Sequence, residues 1–240
     1  MIIPIYDENP TRRFPLVTVT IIALNVLVFL YEFSLPQSDL NTFVTLNSVI
    51  PAELLPAITS FKLSSPELLT VFTAMFMHGG WLHLGGNMLY LWIFGNNIED
   101  RLGRLPYLLF YLACGIAATG AHVLSGPTSA IPSLGASGAI AGVLGAYLVL
   151  YPRARVVAVV PIFFFIQLIR IPAVIVLGFW IIIQLISGAS SIAADPTAQE
   201  AGVAWFAHIG GFVAGIILIL LLPKQAPAPV RRRRVNEDWD

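Results

Sequence analysis

The chain is short of charge. Only 11% of its 240 residues are Asp, Glu, Lys or Arg, against 57% hydrophobic, and the mean hydropathy is +0.82. Soluble domains carry roughly 25% charged residues, so this scarcity places the chain among membrane proteins. An excess of either sign is lacking too: 13 basic and 13 acidic residues cancel, which argues against a nucleic-acid partner. There is a single cysteine, Cys114, which excludes an intramolecular disulfide and any multi-cysteine metal site. Set in an apolar run, that thiol reads as inert packing. No internal repeat of the kind that marks transporters is present. A cleavable signal peptide is not evident either: the first apolar run, from Leu16, is too long and is followed by further spans, so the N-terminus is expected to stay in the cytoplasm.

What is abundant is apolar sequence in helix-length runs. Leu16 to Phe33 is long enough to cross a bilayer core. Residues 34–80 are mixed and interrupted by Pro36, Pro51, Pro56 and Pro66, while Ile50, Leu54, Leu55, Ile58 and Phe61 keep a helical apolar spacing. This segment reads as short helices in or on the membrane interface. Further spans are expected over Trp81–Asn97, Leu105–Leu124, Ser137 to Tyr151-Pro152, Pro172–Ser187 and Val203–Leu222. Val156–Ile169 is read as an interfacial piece, because one long span there would put Arg170 in the hydrocarbon at a cost of roughly 2.5–3.5 kcal/mol or more. Residues 188–202 form a loop containing Asp195 and Glu200.

The expected fold is therefore an all-α polytopic bundle of six transmembrane helices with a membrane-associated first loop. Residues 1–15 form a cytoplasmic segment, 16–222 the six-span domain, and 223–240 a charged, proline-rich cytoplasmic tail expected to be disordered. With six spans, 12 of the 13 Lys and Arg residues fall on the side of the termini and only Lys62 on the other, which makes the termini cytoplasmic.

Against this apolar background a few polar residues stand out. The stretch Gly135-Ala136-Ser137-Gly138-Ala139-Ile140-Ala141-Gly142 puts one hydroxyl at the start of a span, with almost nothing larger than a methyl group around it. Ser137 has a bland reading as an N-cap in a small-residue helix contact. Its sharp reading is a nucleophile, which requires a base at the same depth. Ser137 lies fourteen residues from Tyr151, His208 fourteen from Leu222, and His83 fourteen from Asn97 at the cytoplasmic turn, each roughly 21 Å of helix. The core is about 30 Å thick, so all three stop at one level below the outer surface. Asn87 joins them, sharing a helix face with His83 at i, i+4. Polar groups at that depth are costly unless they share partners or line a water-filled cavity, so the cluster reads as an active site. Ala141 and Gly145 continue the serine's helix face, and Gly211 and Gly215 that of His208, which would let the two backbones approach closely.

The chemistry those types support is acyl transfer. Ser137 would attack, His208 would take its proton and return it to the leaving amine, and His83, Asn87 and the Ser137 backbone N–H would donate to the oxyanion. No acidic residue lies at the same depth, so a Ser–His dyad is expected; Asp195 is the nearest candidate third member and reads as solvated.

Gly135-Ala136-Ser137-Gly138 on the fourth span, His83-xxx-Asn87 on the second and Ala207-His208-xx-Gly211-xxx-Gly215 on the sixth resemble the rhomboid family of intramembrane serine proteases. That resemblance implies catalytic roles for Ser137 and His208 and oxyanion roles for His83 and Asn87, with neither cofactor nor metal. It further implies transmembrane protein substrates within the lipid bilayer of a prokaryotic plasma membrane. By the same resemblance residues 34–80 correspond to the family's first loop, His78 to a structural histidine, and Glu99, Asp100 and Arg101 to a structural inner-turn motif. The fifth span and the loop after it correspond to a lateral gate. Some relatives carry an aromatic one turn after the serine, packed on the base, where this chain has Ala141. His122 and the run Arg231–Arg234 receive no chemical role. Two other classes compete: a catalytically silent client-binding protein of the same fold, whose members usually lack the serine or histidine, and a transporter or proton relay, which an internal repeat would have favoured.

Overall fold

The computed structural model describes residues 3–62, 64–162, 165–193 and 204–226. In chain order these form strand β1 (Ile3–Asp7) and helices α1 (Leu16–Ser34), α2 (Gln37–Asn47), α3 (Pro51–Thr59) and α4 (Glu67–Thr73), the last continued by a 3-10 turn, Ala74–Phe76. Helix α5 (Trp81–Tyr90) passes through a π-helical turn, Leu91–Gly95, into α6 (Asn96–Leu102). There follow α7 (Arg104–Ser125), α8 (Ser137–Leu150), strands β2 (Arg155–Ile162) and β3 (Phe165–Pro172), α9 (Ala173–Ala193) and α10 (Trp205–Leu221). Leu16–Ser34, Arg104–Ser125 and Ala173–Ser191 are each long and apolar enough to cross a membrane alone; α8 and α10 are shorter apolar helices.

The bundle is built around α8. Every side chain from Gly138 to Tyr147 is buried, a run possible only because it is rich in Gly and Ala that let neighbours close in from all sides. Helices α7, α9 and α10 and the π turn pack around it. In contrast, α9 turns Ile175, Phe179, Ile182 and Ile186 outward and Val176, Leu177, Trp180, Ile181 and Gln184 toward the bundle, as a helix bordering lipid does.

The segment 34–80 is a layer of short helices, and it holds the loop that leads into α8. Val49 and Ser133 exchange backbone hydrogen bonds of 2.9 and 2.8 Å, Ala52 N–H donates to the Ser129 carbonyl at 3.0 Å, and Gly135 N–H donates to the Ala74 carbonyl at 2.8 Å.

At the C-terminal end of α8, the piece expected over Val156–Ile169 takes a form the sequence reading did not specify. These residues pair as a β-hairpin, β2 with β3, and β1 adds antiparallel on the other edge of β2, with Ile3 opposite Val159 and Asp7 opposite Val156. The β-branched run Val156-Val157-Ala158-Val159-Val160 suits a pleated surface better than a helix. Arg170 is not part of a spanning helix: it lies on β3 and meets Glu8 at 2.6 Å. The bundle thus carries a small sheet in addition to its helices.

Glu99, Asp100 and Arg101 act as structural fasteners at this end. The Glu99 carboxylate accepts from the amides of Val17 and Thr18 at 2.9 and 2.8 Å and from the Thr18 hydroxyl at 2.8 Å. It satisfies the first turn of α1, which no residue of that helix caps. Asp100 accepts from the Arg12 amide at 3.2 Å, and the Arg101 guanidinium lies over the Tyr151 ring.

Candidate active site

Ser137 opens α8, yet it does not act as a cap. No side chain caps this helix, and the Ser137 Oγ instead lies 2.7 Å from the Nε2 of His208. His208 sits in the first turn of α10, buried at 8% exposure. The two meet because α8 and α10 touch backbone to backbone. A Cβ on Gly211 would overlap the Gly138 carbonyl, one on Gly215 the Gly142 carbonyl, and one on Gly145 the Phe212 carbonyl. The glycines of α10 expected at this seam are there, as is Gly145. Their partners on α8 are Gly138 and Gly142, one position on from the serine's own face, so Ser137 is left at the edge of the seam with its hydroxyl free to reach the ring.

The other nitrogen of His208 has a partner that sequence reasoning missed. Its Nδ1 is 2.7 Å from the Oε1 of Gln184 on α9, and the Gln184 amide donates in turn to the Trp180 carbonyl at 3.3 Å. The Trp180 ring lies beside the His208 ring, with centroids 5.7 Å apart and planes inclined at 40°, and also beside Phe212 at 6.1 Å. The ring support that Ala141 does not provide thus comes from α9. A signal existed: Gln184 is the one strongly hydrogen-bonding side chain inside the apolar run from Ala173 to Leu185, and such a group needs a partner. Asp195 and Glu200 lie outside the described residues.

His83 and Asn87 come from α5, which packs against α8. His83 lies against Gly135: a Cβ on that glycine, whose φ is +131°, would stand 2.8 Å from the His83 Nε2 and 3.7 Å from the Ser137 Oγ. Gly135 is therefore needed twice, for its backbone angle and for the ring beside it. Gly79 N–H donates to the His83 Nδ1 at 3.4 Å, so the neutral ring carries its proton on Nε2, the atom on the Gly135 side. Asn87, one turn further along the same face, is 8% exposed, and its Nδ2 has no partner among the described residues. His78 packs edge-on against His83 at 5.0 Å and donates its backbone amide to Glu32 at 3.2 Å, a place in the support of the site.

A small cleft of about 40 Å³ opens beside Ser137 along α7, walled by Met75, Ala118, Thr119, His122 and Gly135. His122, without a role in the sequence reading, is thus on the wall of this cleft. Among the described residues no three His, Cys, Asp or Glu side chains are grouped to hold a metal ion. The arrangement offers a hydroxyl on an imidazole, a second imidazole and an amide on the neighbouring helix, and a small cleft beside the serine, which are groups acyl transfer uses.

A membrane-embedded helical bundle with a Ser–His pair at the start of its central helix is the class this fold and site define. Residues 65–225 match the rhomboid domain family, and the chain belongs to that family. It is 32% identical over 157 residues to the Arabidopsis thaliana rhomboid-like protein 11, chloroplastic, covering 63% of this chain and 51% of that protein. To the Bacillus subtilis rhomboid protease GluP it is 35% identical over 135 residues, 56% of this chain and 24% of the relative. The bovine presenilin-associated rhomboid-like protein, mitochondrial, is 37% identical over 153 residues, 62% of this chain and 37% of the relative. The chain thus spans about half or less of these relatives' lengths.

Proposed function

We propose that this chain is a serine-type intramembrane endopeptidase, cleaving transmembrane segments of other membrane proteins with Ser137 as nucleophile and His208 as general base. The observation that carries this reading is the 2.7 Å contact between Ser137 Oγ and His208 Nε2 at the edge of an open cleft. As Oγ attacks the scissile carbonyl, its proton passes to Nε2, and the carbonyl oxygen becomes an oxyanion. His83 Nε2–H and the Asn87 Nδ2, unpartnered among the described residues, are the side-chain donors we assign to it, and the Ser137 amide at the start of α8 is the backbone one. Collapse of the intermediate breaks the C–N bond, and His208 returns the proton to the leaving amine. Water, activated by the same nitrogen, then hydrolyses the acyl-enzyme and regenerates the Ser137 hydroxyl. A peptide bond inside a helix is shielded, so substrates with helix-weakening Gly or Pro near the scissile site are favoured.

The same reading makes the molecule a six-span protein with both termini in the cytoplasm, in a prokaryotic plasma membrane. The charge distribution supports this, with 12 of 13 basic residues falling on the side of the termini.

The test uses purified protein in lipid vesicles, with and without Ser137→Ala, treated with a fluorophosphonate probe and with a single-span protein substrate. Labelling and cleavage by the parent, both lost in the variant, is the expected result. A folded parent that neither labels nor cleaves overturns it and leaves a client-binding protein of the same fold.

A further inference from the structure

We propose that Gln184 is a positioning residue for His208, the third member of an uncharged row, Gln184–His208–Ser137, that fixes the tautomer in which the imidazole can act as base. The inference rests on the serine-protease reading and deepens it. The row is continuous, with 2.7 Å from Gln184 Oε1 to His208 Nδ1 and 2.7 Å from His208 Nε2 to Ser137 Oγ.

The direction of its hydrogen bonds follows from its far end. The Trp180 carbonyl can only accept, so the group of Gln184 that faces it is the NH₂. That leaves the amide oxygen facing the ring, and an oxygen can only accept, so Nδ1 must carry the ring proton. A neutral imidazole protonated on Nδ1 has its lone pair on Nε2, the nitrogen beside the serine. With the amide turned over, the NH₂ would demand an acceptor at Nδ1, Nε2 would hold the proton, and no base would face Ser137. The backbone carbonyl one turn back on α9 therefore selects, through Gln184, the working form of His208.

Surroundings and reach agree with this role. Gln184 is 5% exposed, so water does not compete for its oxygen, and it does not line the cleft beside Ser137. It touches the base and not the serine's cleft. In membrane interiors an amide is cheaper to bury than a carboxylate, which accounts for a neutral residue where soluble serine hydrolases place an acid. The Trp180 ring closes the same side of His208, so both restraints on the base come from α9.

The experiment compares the parent with Gln184→Met, which keeps the length and removes the acceptor, and with Gln184→Glu, which keeps an acceptor. In vesicles with a single-span substrate, the Met variant is expected to lose roughly 10–100-fold in kcat with KM unchanged. The Glu variant is expected to stay within about fivefold of the parent. Parental kcat in a folded Met variant, or equal losses in both folded variants, overturns the assignment. Independently of how the variants fold, ¹⁵N-histidine NMR of the parent at pH 8 reads the tautomer directly, His208 being assigned by loss of its signal in His208→Ala. A proton on Nδ1 is expected, and a proton on Nε2 overturns the proposal. A parent with the Nδ1–H tautomer but no fluorophosphonate labelling would remove the hydrolase reading while leaving the Gln184 contact and its direction in place.

Discussion

The two ends of α8 each hold a hydroxyl bonded to another element, and they do different things. At the N-terminal end Ser137 meets His208 at 2.7 Å; at the C-terminal end Tyr147 donates to the Asp7 carboxylate on β1 at 2.5 Å. Geometry alone does not separate them. Partner chemistry and access do. Ionised Asp7 can only accept, takes a second hydrogen bond from the Asn97 amide at 2.9 Å, and holds a phenol that is fully buried between Phe94 and Tyr151. Such a pair anchors the N-terminal strand and has no route to a substrate. His208 has a ring nitrogen on each of two neighbours, Gln184 and Ser137, and Ser137 borders a cleft, so with the tautomer proposed above it can move a proton.

What joins the two ends is the glycine seam, and breaking it should have the largest effect. A Cβ on Gly215 would enter the space of the Gly142 backbone, which cannot yield as a flexible side chain can. Gly215→Ala should therefore destabilise the protein by about 3 kcal/mol or more and abolish cleavage as α10 moves away. Gly120→Ala is the control, since nothing lies within 4 Å of that position, and thermal unfolding in detergent should separate the two variants clearly. Equal melting temperatures would mean that the seam does not hold α8 against α10.

A sharper cut removes one end and leaves the other. Asn87→Ala deletes an amide whose nitrogen has no partner, so the fold should lose little. If that nitrogen donates to the oxyanion, turnover should fall by up to about 10²–10³ with the melting temperature within a degree or two of the parent. Full activity in Asn87→Ala would remove it from the site, and a parallel loss of stability would make it structural.

How much of this was legible in the sequence follows from which interactions have a local period. The apolar runs, the i, i+4 pair His83 and Asn87, and the glycines of α10 are local features, and the helices fall close to where those features put them, except that α9 runs on to Ala193, into the stretch expected to be a loop. Counting residues from each span end also brought Ser137 and His208 to one level, and the structure has them in contact. Features made by pairing distant segments were not legible. The β1–β2–β3 sheet joins Ile3–Asp7 to residues more than 140 positions away, a pairing that no local period announces. Gln184 is hard to read from the sequence because the familiar third member is an acid, whereas in a low-dielectric site a neutral amide is the cheaper acceptor. The residues expected to shape a gate, on the fifth span, prove to include the two that hold the base.

The smallest effect, and the one that isolates the C-terminal end of α8, is the pH dependence of its latch. Burial pushes the Asp7 carboxyl up from the usual 3.8 to about 6, against the opposing hydrogen bonds from Tyr147 and Asn97. The folded chain then binds a proton more tightly than the unfolded chain. Its contribution is full below about pH 3.8 and declines as pH rises through about 6. At most about 3 kcal/mol is at stake for a shift of this size, and part of it is screened because Asp7 is not fully buried. The parent should therefore melt at a higher temperature at pH 5 than at pH 8, with faster deuterium exchange in β1 at the higher pH. Asp7→Asn should flatten that dependence while cleavage at pH 7 is unchanged, because Asp7 does not line the cleft beside Ser137. A variant that keeps the parent's pH slope would show that another group sets it. A variant that also loses cleavage would show that the two ends of α8 are coupled through the helix rather than independent.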